Sequence, residues 1–145
     1  MTVTFCGHDD TDCDRPLLDR LSACVEALIG EGATVFYLGG YGNFDRLAAQ
    51  VVQSMKKRNR EIISVLVIPY LDRFYNMSLY DTSIYPPLEN VPKAYTVSKR
   101  NEWMIDHADV VVACVSHDFD GAAASLRYAR RKQKRVISLG KISEP

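Results

Sequence analysis

The sequence predicts an α/β domain, a three-layer sandwich built on a mainly parallel five-stranded sheet. Five short β-rich runs alternate with four stretches of helical periodicity, the order that βαβ units produce. Two of the runs, Ile62–Ile68 and Val110–Val115, are apolar at nearly every position, so both of their faces need cover. Strands of that kind belong to parallel sheets with helices on each side, joined by right-handed crossovers. A chain of 145 residues that is 47% hydrophobic supports one core and one domain, residues 1–145.

The first strand is Val3–Cys6. The helix after it spans Pro16–Leu28, with Leu17, Leu21, Val25 and Leu28 at helical spacing, Asp14 as its cap and Gly30 and Gly32 as stops. Thr34–Leu38 is the second strand, and a helix of about Phe44–Lys57 follows, with Leu47, Ala48, Val51, Val52 and Met55 on one side. Ile62–Ile68 is the third. Helices at about Ser98–His107 and Ala122–Lys132 flank Val110–Val115, and Val136–Leu139 is the fifth strand. The segment Tyr70–Lys93 breaks the rhythm: it carries tyrosines and prolines with few strand or helix signals, as a lid or binding loop does.

Lysine plus arginine and aspartate plus glutamate both number 18, so no global field draws the chain to nucleic acid or an anionic membrane. No apolar stretch nears the roughly 20 residues of a membrane span, and the N-terminus enters a strand without a basic leader. The four cysteines lack C-x-x-C spacing, which argues for reduced thiols in the cytosol. His8, His107 and His117 lack ligand spacing, so neither a metal nor a cofactor is expected. The basic residues Arg127, Arg130, Arg131, Lys132, Lys134 and Arg135 gather where a helix ends, and read as a solvated face suited to the helix dipole.

In open parallel sheets ligands sit beyond the carboxyl ends of the strands. The residues there are Gly7 and His8 after the first strand, Gly39, Gly40, Tyr41, Gly42, Asn43 and Asp45 after the second, and Tyr70 after the third. Ser116, Asp120, Gly121 and Ala122 follow the fourth, and Arg100 and Asn101 lie in the helix before it. Glycines between strand and helix let backbone amides approach an anion, and a guanidinium offers a fork for phosphate. The expectation is a small electropositive cup. Asp45 and Glu102 are the candidate acid/base groups, Asp45 doubling as a ribose acceptor.

Phe5-Cys6-Gly7-His8, the Gly39–Asp45 turn, Lys99-Arg100-Asn101-Glu102-Trp103-Met104 and the Gly121-Ala122-Ala123 helix start, in that order, resemble the SLOG superfamily of Rossmann-like domains. That group joins DNA-processing protein A to the LOG phosphoribohydrolases, and the similarity is greatest to its small single-domain YpsA-like branch. The resemblance implies a nucleotide-like small molecule held by the loops after the first, second and fourth strands, and a homodimer. Arg100 and Met104 match the spacing of the R-K-x-x-M motif of the LOG enzymes, with Asn101 in place of lysine. In their P-G-G-x-G-T-x-x-E motif the acidic positions fall on Arg127 and Tyr128; in the related nucleoside deoxyribosyltransferases the nucleophilic glutamate falls near Ser125. The leading expectation is therefore a nucleotide-binding domain that senses or sequesters its ligand. The rival is a nucleoside monophosphate N-glycosidase or base-exchange enzyme, and an accessory role in nucleic-acid processing ranks last.

Overall fold

A computed structural model describes residues 1–140. Its strands are β1 (Thr2–Gly7), β2 (Val35–Leu38), β3 (Ile63–Val67), β4 (Thr82–Ile84), β5 (Val110–Cys114) and β6 (Arg135–Ser138), in one all-parallel sheet of order β4-β3-β2-β1-β5-β6. The helices are α1 (Arg15–Gly30), α2 (Asn43–Met55), α3 (Thr96–Asp106) and α4 (Gly121–Arg131). This is the expected Rossmann-like α/β architecture.

The strands alternate as a doubly covered sheet requires. Val3 and Phe5 of β1, with Val110 and Val112 of β5, pack into a cluster that includes Leu21, Val25 and Leu28 of α1 and Phe44, Leu47, Ala48 and Val52 of α2. Cys6, Val111 and Ala113 turn the other way, toward Ile105 of α3 and Ala129 of α4. Asp14 caps α1, its Oδ1 accepting from the Leu17 amide at 2.9 Å, and Gly32 takes φ +110° just past the helix end.

The count of five strands needs correction. β4 lies inside the segment expected to be structureless and pairs with β3 in register Leu66↔Ser83. Three residues at a sheet edge carry too little apolar periodicity to be read locally. Asp81 docks the strand: its Oδ2 accepts from the Ser64 amide at 2.8 Å and from Lys56 Nζ at 2.7 Å. Burial pushes the Asp81 carboxyl up, but the Lys56 and Ser64 hydrogen bonds outweigh it, and the group sits below the usual carboxylate range.

Candidate functional site

The strand order reverses between β1 and β5: β2, β3 and β4 lie on one side of β1, β5 and β6 on the other. At such a switch point the loops after the two strands diverge and leave a crevice at their carboxyl ends. A cavity of about 190 Å³ occupies it. Its wall includes Gly7 at the end of β1 and Asp9 after it, Tyr41 and Asp45 after β2, Arg100 and Asn101 of α3, and Asp120, Gly121 and Ala122 where α4 begins.

Glycine makes the crevice possible at two points. A side chain at Gly7 would collide with the ring of Phe44, the first large core residue of α2. Gly42 has φ +89°, and a Cβ there would lie 2.7 Å from the Asp9 backbone. The close approach lets the Asn43 amide donate to the Asp9 carbonyl at 2.8 Å, which clamps the loops after β1 and β2 together. The glycine-rich turn thus spends its conformational freedom on packing: Gly40 faces Leu66 and Tyr80, and Gly39, Gly40, Gly42, Asn43 and Tyr70 stand outside the cavity wall.

Arg100 is buried, 4% exposed, although it carries a full charge. Its Nη1 donates to the carbonyls of Val67 at 2.8 Å and Gly39 at 3.0 Å, and its Nε to Asn101 Oδ1 at 2.9 Å. Those carbonyls lie at the carboxyl ends of β3 and β2, where the ladder no longer supplies donors, so the guanidinium closes the end of the sheet. Only Nη2 has no hydrogen bond among the described residues. Arg100 therefore keeps one nitrogen without a hydrogen bond, not a fork.

The cup is not electropositive. Asp9, Asp45 and Asp120 line it against the single guanidinium of Arg100. Asp45 is half-buried in the first turn of α2. Burial pushes its carboxyl up to about 6, offset only in part by the Arg100 charge and the Tyr41 amide, while Asp9 adds repulsion. Burial also raises Asp9, with Asp120 and Asp10 adding to the rise. For Asp120 the balance reverses: burial raises it, but the Ala123 amide and His8 outweigh that and hold it low. Cys6 also lines the wall, its thiol pushed up to about 12 by burial, so it is no ready nucleophile.

His8 reaches the crevice from behind. The Ser116 amide donates to its Nε2 at 2.9 Å, so the ring proton sits on Nδ1 and is donated to Asp120 Oδ2 at 2.6 Å. His8 and Ser116, expected as ligand contacts, brace the loops after β1 and β5 and line a neighbouring cavity with His117. His117, which its sequence position did not single out, stacks on His8 with ring centroids 3.6 Å apart and planes 13° from parallel, and Phe119 stacks on its other face at 3.8 Å.

His8, His117 and Asp120 bring ligand-type atoms within 4.8 Å of one another, which spacing along the chain did not reveal. Their arrangement does not suit an ion. A metal lies in the plane of each imidazole at about 2 Å from nitrogen, and two rings stacked face to face do not share such a point. The amide on His8 Nε2 further requires a proton, not a metal, at Nδ1.

Glu102 lies away from this cavity, in a neighbouring groove between α3 and α4, with Lys99 Nζ donating to its Oε1 at 3.2 Å. Asp9 and Ser125 belong to the cavity wall and were not among the sequence candidates. Asp9 follows Gly7 and His8 closely enough for proximity to have flagged it, and Ser125 was marked only by the family resemblance, near the position of the deoxyribosyltransferase glutamate. The basic cluster disperses: Arg135 pairs with Glu31 at 2.6 Å, Lys134 Nζ donates to the carbonyls of Asp106 and Ala108, and Lys132 lies 3.9 Å from Asp106.

The chain has a Rossmann-like α/β fold that solved structures share. No family model matches it. It is 28% identical over 138 aligned residues to the uncharacterized SPbeta prophage-derived protein YoqJ of Bacillus subtilis (79% of this chain, 81% of the relative). DNA processing protein A from Helicobacter pylori superposes with TM-score 0.69 at 18% identity, covering 99% of this chain and 67% of that one. The molybdenum cofactor binding protein of Rippkaea orientalis gives 0.65 at 20% identity (97% and 76%), and the Moco carrier protein of Chlamydomonas reinhardtii 0.59 at 16% (97% and 77%). Among the described residues no helix is long and apolar enough to cross a membrane.

Proposed function

We propose that the protein binds a nucleotide-derived small molecule in the crevice between β1 and β5, as a sensor or sequestering domain of the cytosol. One observation carries the reading: the cavity sets acceptors against donors. Asp9 and Asp45 supply carboxylate oxygens; Arg100 Nη2 and the Gly121 and Ala122 amides, which have no hydrogen bond among the described residues, supply donors. A sugar, whose hydroxyls both donate and accept, satisfies such a wall; a bare phosphate would meet three carboxylates. Solved neighbours are described as binding molybdenum cofactor and single-stranded DNA, so the fold serves ligands of both kinds. The acidic crevice and zero net charge favour the small molecule here.

The test is calorimetry and thermal shift against nucleosides and their monophosphates. Saturable binding that weakens at least tenfold in Asp45→Asn supports the reading. Absence of binding across the panel, or binding indifferent to that substitution, defeats it.

A second reading rests on Asp45 and Asp120, carboxylates that face one cavity with acidities displaced in opposite directions, the disposition of an acid/base pair in glycoside cleavage. Release of free base from a nucleoside monophosphate, measured by chromatography and abolished in Asp45→Asn, would make the protein an N-glycosidase. Binding without release leaves it a carrier. Homodimer formation is a further part of the proposal: Leu71, Phe74 and Tyr95 are exposed, Phe74 at 94%, and sedimentation at micromolar concentration reads the oligomeric state.

A further inference from the structure

A second cavity of about 320 Å³ adjoins the first, sharing Val97, Asn101, Gly121 and Ser125 of its wall. Together the two reach the size range of roughly 300–1,000 Å³ that small-molecule sites occupy. Their charges are opposite. The first is lined by Asp9, Asp45 and Asp120; the second by Arg127 and Arg131 of α4, with Glu102 as its acid. Glu102 is occupied by Lys99 Nζ, and neither arginine joins an ion pair among the described residues.

The helix dipole explains Arg131, in the last turn of α4, but not Arg127, which lies a turn earlier. Arg127 Nη1 donates to the Asp118 carbonyl at 3.0 Å, which tethers the guanidinium to the loop that leads into α4. The Arg131 guanidinium stands 5.5 Å from the Tyr128 ring centre. At the junction of the cavities Ser125 is 8% exposed, and its hydroxyl has no hydrogen bond among the described residues.

We infer that the groove between α3 and α4 is the anion subsite of a bipartite site: a nucleoside phosphate lays its sugar against the carboxylates and its phosphate end across Ser125 toward Arg127 and Arg131. The inference rests on the proposed nucleotide reading for the identity of the ligand, and on the groove's own residues for the anion. Coulomb repulsion decides the direction, since phosphate oxygens are unfavourable beside three carboxylates and favourable beside two unpaired guanidinium groups.

Calorimetry with pyrophosphate, a nucleoside and its 5′-diphosphate, on the wild type and on Arg127→Ala/Arg131→Ala, tests it. Both arginines are exposed, and circular dichroism checks that the variant folds. The expected result is pyrophosphate binding that the double variant loses, and a diphosphate that binds at least tenfold more tightly than the nucleoside in the wild type only. Ser125→Ala should weaken pyrophosphate several-fold with an unchanged melting temperature. Pyrophosphate bound equally by both proteins or by neither, or a diphosphate advantage that survives in the variant, overturns the inference. Arginine-dependent pyrophosphate binding with no nucleoside binding would keep the anion subsite and reject the nucleotide reading.

Discussion

Asp45 and Asp120 open two helices on the same rim and face one cavity, yet their surroundings treat them in opposite ways. Asp120 is the residue before α4: its Oδ1 accepts from the Ala123 amide at 3.1 Å and its Oδ2 from His8 at 2.6 Å, so its charge is fully used within the chain. Asp45 is in the first turn of α2, whose start at Gly42 has no side-chain cap; its one hydrogen bond, from the Tyr41 amide, is 3.4 Å long. A carboxylate with satisfied oxygens strengthens a helix start. One held half-buried and under-bonded costs stability, a cost that a ligand of the proposed site would offset.

The largest expected effect breaks this comparison at its cation. Arg100→Met should destabilise the fold by about 3 kcal/mol, because the Gly39 and Val67 carbonyls lose their donor inside the protein. Urea unfolding reads the loss. In the same variant the Asp45 carboxyl, followed by carbon-13 NMR, should titrate higher than in the wild type, because the Arg100 charge offsets part of the rise that burial causes; no movement would mean that Arg100 does not restrain it.

Asp120→Ala removes a helix cap and the His8 partner and should cost about 2 kcal/mol, with Asp120→Asn losing about half as much because an amide oxygen still caps. The Asp120 carboxyl is depressed in the fold, so its contribution is present above the unfolded value near 4 and is lost as pH falls through the lower folded one. Equal destabilisation by both substitutions would show that the charge, not the cap, matters.

Asp45→Asn goes the other way. The carboxyl is raised in the fold, so the wild type keeps its full contribution below the unfolded value near 4 and loses it as pH rises through about 6. The amide should therefore stabilise the protein by about 1–2 kcal/mol at pH 8 and by nothing measurable at pH 4. Thermal unfolding at the two pH values checks this, and a pH-independent effect would remove Asp45 as the strained partner. The smallest effect sharpens the comparison: Phe119→Ser exposes a face of His117 but touches neither carboxylate, and should change stability by less than about 0.5 kcal/mol.

The residues that were legible in the sequence are those whose neighbours are close along the chain. Asp14 as a cap, Gly32 as a stop and the apolar face of α2 follow from spacing within a turn or two. β4 was not legible, because it is held by Asp81 contacts to Ser64 and Lys56, 17 and 25 residues away. His117 was missed for the same reason: its stacking partner His8 is on another strand's loop. Arg100 was found, but for a fork that its backbone contacts leave incomplete.

By itself the sequence determined the alternation of strands and helices, the double cover of the central strands and the loops that meet at the carboxyl rim, since apolar periodicity and turn residues act over a few positions. Only the tertiary structure decided the sign of the crevice. The loop after β1, the first turn of α2 and the residue before α4 bring Asp9, Asp45 and Asp120 to one wall and leave Arg127 and Arg131 in the next groove. Charge interactions depend on distance and burial, and the chain's even balance of acids and bases records neither.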